Sequence, residues 1–167
     1  MNTEIINRVA NSKLVTFNLE DFYPKGERVL FDIKDWLLEG LILREADFRE
    51  SALAHDWSQY KDKYVALTCS TEAIIPAWAY MLLAIYLQAF AKKVVTGDLE
   101  IMETVLYTEI IHNMDVADLK DKLVIIKGCS NKPVPKNAYL LIIEKLQPVV
   151  KSLMYGEACS SVPLYKT

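Results

Sequence analysis

The chain has 167 residues, 52 % of them hydrophobic and 25 % charged, with a formal net charge of −3. That length can bury a core without disulfide or metal staples. With no run of Lys or Arg there is no electrostatic footprint for nucleic acid and no polybasic membrane patch, so neither is expected as a partner.

The opening residues, Met1 to Arg8, lack the basic and apolar regions of a secretory signal. Three cysteines is an odd number, which argues against a disulfide framework in a chain of this size. The expectation is reduced thiols in a cytoplasmic protein.

The predicted architecture is a single α/β domain over residues 1–167, three-layered, with a small and mostly parallel sheet. Residues 1–60 read as irregular. Within them Leu14 to Leu19 suggests a strand, Asp21 to Gly26 a turn, and Asp47 to Ala54 a short helix. Residues 64–154 read as βα units. Val65 to Thr68 is a short apolar run of the kind that forms a buried strand. A helix is predicted from about Thr71 to Ala91, then a strand at Val94-Val95. Asp98 is placed as the N-cap of a helix whose apolar face is Leu99, Met102, Leu106 and Ile110. His112 near its end reads as compensation for the helix dipole. Leu123 to Ile126 is the clearest strand. A last helix is predicted from Pro135 to Leu153, kinked at Pro148 and capped by Gly156, leaving residues 155–167 as a tail.

Ala73 to Ala91 carries no charge and is long enough to span a bilayer. Pro76, Tyr80, Tyr86 and Gln88 favour a helix buried inside an α/β domain instead. A weak internal repeat supports the βα reading. Val65 to Ser70, Pro76 and Ala79-Tyr80 parallel Val124 to Ser130, Pro135 and Ala138-Tyr139, with spacings that differ by one residue.

Chemistry is hinted at only around three Cys-Ser steps. Ligands of parallel sheets bind beyond the carboxyl ends of the strands, where helix N-termini point and favour thiolate. Cys69 and Cys129 both fall there in this reading, on one sheet edge and about 5–10 Å apart if their strands are neighbours. Cys159 follows the last helix, which places it at the opposite edge unless the tail returns. His55 stands beside Asp56, and carboxylates orient ligating imidazoles. Cys69, Cys129, Cys159 and His55 thus make a candidate tetrahedral set for zinc, iron or an iron–sulfur cluster, although none has the short C-x-x-C spacing of a legible metal site. Each residue also has a plainer reading. A lone cysteine usually packs, His55 can cap or face solvent, Glu72 is an ordinary first-turn acid, and Trp36, Trp57 and Trp78 suit a core.

The segments Asp21-Phe22-Tyr23-Pro24, His55 to Tyr60, Cys69 through Tyr80, Ile126 to Ser130 and Met154 to Pro163 resemble an uncharacterised bacterial domain family found mainly in Bacteroidetes. The resemblance covers nearly the whole chain and brings no established activity. It implies a genomic place beside iron–sulfur cluster assembly of the sulfur-mobilisation type, and so iron–sulfur assembly proteins as partners. Three classes of function therefore stand open. They are a metal- or iron–sulfur-linked accessory protein, an enzyme with Cys69 or Cys129 as nucleophile and His55 as base, and an interaction module without chemistry.

Overall fold

The computed structural model describes residues 14–128, 131–157 and 159–167. The chain divides into two compact units. One holds the residues up to Tyr23 together with Leu106–Thr167, and the other is Pro24–Val105. Among the described residues seven strands form two small sheets rather than one, and six of the seven run parallel to a neighbour. The α/β, mostly parallel architecture expected from the sequence is what the chain adopts.

In the Pro24–Val105 unit the sheet order is β2 (Arg28–Asp32), β3 (Tyr64–Thr68), β4 (Lys93–Thr96). The crossovers are α1 (Glu45–Ala54) and α2 (Ala77–Leu87). In the other unit the order is β1 (Leu14–Phe17), β5 (Leu123–Lys127), β6 (Ser152–Glu157), β7 (Ser160–Lys166). Its crossover helices are α3 (Leu99–Asn113), whose first residues fall within Pro24–Val105, and α4 (Lys136–Leu146). Only β7 is antiparallel.

The two units are copies of one plan. From α1 onward, equivalent residues stand 59 positions apart. β3 corresponds to β5, α2 to α4, and β4 to the start of β6. Both crossover helices follow a proline, Pro76 and Pro135, whose missing N–H costs nothing at a helix start. Asp62 and Asp121 share the left-handed backbone conformation, with φ of 62° and 57°. Each donates its N–H over 3.0 Å to the carbonyl of Phe90 or Val149. The cores match as well. Phe48, Ala52, Val65, Leu67, Ala79, Leu83 and Leu87 of one cluster answer Tyr107, Ile111, Val124, Ile126, Ala138, Ile142 and Leu146 of the other. Ala79, Leu83 and Leu87 recur every fourth residue, which turns one stripe of α2 to the sheet.

The opening of each copy repeats 14 positions apart. Phe17-Asn18-Leu19-Glu20-Asp21-Phe22 answers Phe31-Asp32-Ile33-Lys34-Asp35-Trp36. In both, a strand leads into a 3-10 turn through an Asx residue, Asn18 after β1 and Asp32 at the end of β2, whose side chain accepts the N–H two residues on. The second copy is inserted into the first between its opening strand and its long helix.

This nesting explains where the sequence reading fails. β5 pairs with β1, not with β3 or β4. The strands preceding Cys69 and Cys129 therefore lie in different sheets rather than in the one expected, and Cys129 itself lies outside the described residues. The predicted helix over Thr71–Ala91 is shorter, because Pro76 fixes its start. The last helix stops at Leu146, just before Pro148, whose ring cannot continue the hydrogen-bond ladder. The next element, β6, is a strand, so Gly156 is not a helix cap. It is a strand residue at φ 126°, where a Cβ would meet the Ser160 carbonyl oxygen at 2.6 Å. The predicted tail is strand β7. Among the described residues no helix is long and apolar enough to cross a membrane.

Candidate functional site

Each unit has one carboxyl edge, where its parallel strands end. In the Pro24–Val105 unit that edge carries Asp32, Cys69, Ser70 and Thr71. Asp32 Oδ1 accepts the N–H groups of Lys34 and Ser70, both at 3.1 Å. Burial pushes the Asp32 carboxyl up, but the Ser70 and Lys34 hydrogen bonds and the Lys34 charge outweigh it and hold the pKa below the ordinary value. Thr71 Oγ1 donates to the Gly40 carbonyl at 2.7 Å. Its only proton is then committed, so Cys69 Sγ, 3.3 Å from the same oxygen, donates its S–H. Cys69 is half-buried and packs against the core of its unit. It is held as a packed thiol.

His55 lies in the same unit, inside an aromatic cage. Its ring centroid is 4.7 Å from Trp57, 5.3 Å from Trp36 and 5.6 Å from Phe31. Nε2 is 3.0 Å from the Tyr60 hydroxyl and 3.2 Å from Gln59 Nε2. Both are donors, which assigns the proton to Nδ1 and occupies the Nε2 lone pair. Burial lowers the His55 pKa, opposed by the Asp56 charge. A depressed histidine pKa means the unfolded state takes up the proton first. The contribution of neutral His55 is complete above the unfolded value of 6.5 and is lost as pH falls below it. Wild-type stability should therefore drop more steeply than that of His55→Gln between about pH 7 and about pH 5. Parallel slopes in urea titrations at both pH values would contradict this assignment.

The edge of the four-stranded sheet is built differently. β1 leads to Glu20, whose Oε1 accepts the N–H groups of Asn131 and, at 2.6 Å, of Lys132. That carboxylate clamps the loop after β5. The Lys132 ammonium stands 5.1 Å above the Tyr23 ring. Gly128 follows β5, with its carbonyl accepting from the Tyr155 hydroxyl at 3.3 Å. A Cβ there would sit 3.0 Å from the Tyr155 ring, a contact tight enough that the ring would have to shift by a few tenths of an ångström. β6 runs parallel to β5 with Lys127 opposite Gly156. Its end, Glu157, turns through Cys159 into β7 at Ser160. β6 thus brings the exposed Cys159 back to the edge where β5 ends, removing the objection that Cys159 follows a helix pointing the other way. Cys129 lies outside the described residues. By the 59-residue correspondence its counterpart is Ser70, and that of Cys69 is Gly128. The two thiols are not equivalent residues of the repeat.

Among the described residues no three His, Cys, Asp or Glu side chains come together as a metal site. Cys69 and His55 belong to one unit and Cys159 to the other. At the end of α3 the cation on the last carbonyls is Lys145, bonded to Ile111 and His112 oxygens at 2.7 Å each, rather than the His112 ring. A cavity of about 400 Å³ beside α4 is lined by Ile126, Tyr139, Leu140, Ile143, Gln147, Leu153, Tyr155, Leu164 and Tyr165. It has no nucleophile–base pair. The sequence reading missed Glu20 and Asp32, whose signal was the repeated strand-end motif.

These features define a class, a nested α/β duplication with a carboxylate bonded to the loop at the edge of each sheet. Residues 3–167 match the family described as Protein of unknown function (DUF2480), and the chain belongs to that family. No curated protein and no solved structure matches it.

Proposed function

We propose that the protein is a metal- or iron–sulfur-linked accessory protein that holds its metal on Cys129 and Cys159 at the carboxyl edge of the four-stranded sheet. The observation that carries the reading is the β5–β6 register. It sets the turn containing Cys159 beside Gly128, the residue before Cys129. Thiolates suit zinc, iron and iron–sulfur clusters. Two thiols leave coordination positions open, as fits a protein that receives a metal and passes it on. The partners on this reading are iron–sulfur assembly proteins in the cytoplasm. Cys69 and His55 stay outside the ligand set, because each already has its polar partner within its own unit.

Loss of one ligand weakens a whole metal site and the folding energy linked to it. Cys129→Ser should therefore lower bound metal and thermal stability together. A merely packed thiol would lose about 1–2 kcal/mol from the buried hydroxyl, with metal content unchanged, and that outcome would refute the assignment.

A further inference from the structure

We propose that the cavity of about 400 Å³ between α4 and the four-stranded sheet binds a small, uncharged, largely apolar molecule. Three elements build it. Leu153 and Tyr155 alternate to one face of β6, and Ile126 of β5 lies opposite Tyr155, so these three form its floor. Tyr139, Ile143 and Gln147 follow at four-residue spacing along α4 and its C-cap, and form one wall. The other wall is Leu164 and Tyr165 of β7. Successive strand residues normally point to opposite faces. Here Leu153 pairs with Tyr165 and Met154 with Pro163, which leaves Leu164 as the extra residue of a bulge. Bulges re-aim side chains and recur beside functional sites, and this one lets Leu164 and Tyr165 line the same cavity. β7 is an addition to one copy of the repeat, since β4 is followed directly by α3.

Size and lining select the ligand. Small-molecule sites measure about 300–1,000 Å³ and are mostly apolar with a few polar groups. No charged side chain lines this cavity, so an ionised ligand would lose its hydration without a counter-charge. The Tyr139 and Tyr155 rings stand at 82° with centroids 5.9 Å apart, an edge-to-face corner that suits a flat ring. The Tyr155 hydroxyl is committed to the Gly128 carbonyl. The Gln147 amide and the Tyr165 hydroxyl make no side-chain hydrogen bond among the described residues, and either can meet one polar group of the ligand. The site does not depend on the metal reading, because none of its lining residues is a cysteine or a histidine.

The test is fluorescence titration with phenylnaphthylamine, an uncharged dye that brightens in apolar surroundings, and with its anionic relative anilinonaphthalene sulfonate. Wild type should bind one uncharged dye per chain with a dissociation constant of about 1–100 µM, and the anionic dye about tenfold more weakly or worse. Leu140→Trp fills the cavity and Leu164→Glu puts a charge in it. Each should weaken the uncharged dye about tenfold or more. The two residues are 70 % and 52 % exposed, so circular dichroism should be unchanged, and Leu140→Trp decides alone if Leu164→Glu folds poorly. Leu53→Glu, at an exposed position in the other unit, should leave binding as it is. No saturable uptake at about 100 µM chain, equal uptake of both dyes, or binding indifferent to both cavity variants would overturn the proposal. So would a doubled chain mass in light scattering without dye uptake, which would make a second copy of the chain the occupant.

Discussion

Replacing Glu103 with alanine is expected to destabilise the protein by about 3–5 kcal/mol, the usual cost of stranding one member of a buried ion pair. The Arg28 and Glu103 side chains are 9 % and 6 % exposed. The pair is bidentate, with Nε to Oε1 at 2.6 Å and Nη2 to Oε2 at 3.1 Å. Arg28 Nη1 also donates to the Pro24 and Gly26 carbonyls at 2.7 Å each, and the guanidinium lies 4.9 Å from the Tyr64 ring centroid. Removing the carboxylate leaves a largely buried guanidinium that cannot lose its proton. Arg28→Lys should not be conservative, because an ammonium cannot make the same fork. Urea unfolding measures both variants. A loss under about 1 kcal/mol for Glu103→Ala would place this pair among ordinary surface bridges.

Phe48→Ala and Tyr107→Ala are expected to cost about 3–5 kcal/mol each, as large-to-small changes in a packed core. The two residues are equivalent in the repeat, both fully buried, one in a helix of 10 residues and the other in one of 15. Each sits under the opening turn of its own copy. Phe48 meets Trp36 at 5.4 Å, and the Tyr107 hydroxyl donates to the Leu19 carbonyl at 3.0 Å. Tyr107→Phe should accordingly cost about 1–3 kcal/mol for the buried carbonyl it leaves unpaired. Helix length does not enter, since the loss comes from the cavity. Denaturant midpoints with unchanged slopes would establish this. A cost at one position and not the other would show that the copies are not energetically alike.

The central strands were legible because β3 and β5 are continuous apolar runs buried on both faces. β6 was not. Ile142, Leu146, Val150 and Leu153 keep helical spacing across Pro148, so the apolar pattern hid the change from helix to strand. β7 is exposed at six of its seven positions and carries no period to read. The pairing of β1 with β5 joins residues more than 100 positions apart, and no local pattern encodes it. The repeat was visible only in part. Its opening motif spans six residues, separated from the rest of its copy by the inserted unit. Of the candidate site, the positions of Cys69 and Cys129 after strands were legible. That the two strands before them belong to different sheets was not, because it follows from that one non-local pairing. Trp57 and Tyr60 stand close to His55 in sequence, but Phe31 and Trp36, which complete the aromatic surroundings of its ring, come from β2 and the turn after it, and no local pattern announces them.

The most direct test of the functional account is the zinc and iron content of the anaerobically purified chain, measured before and after exposure to each metal. The account predicts bound metal in wild type, retained in Cys69→Ser and His55→Gln and lost in Cys129→Ser and Cys159→Ser. A wild-type chain free of zinc and iron that takes up neither, or one whose bound metal survives both the Cys129 and the Cys159 substitution, would contradict it.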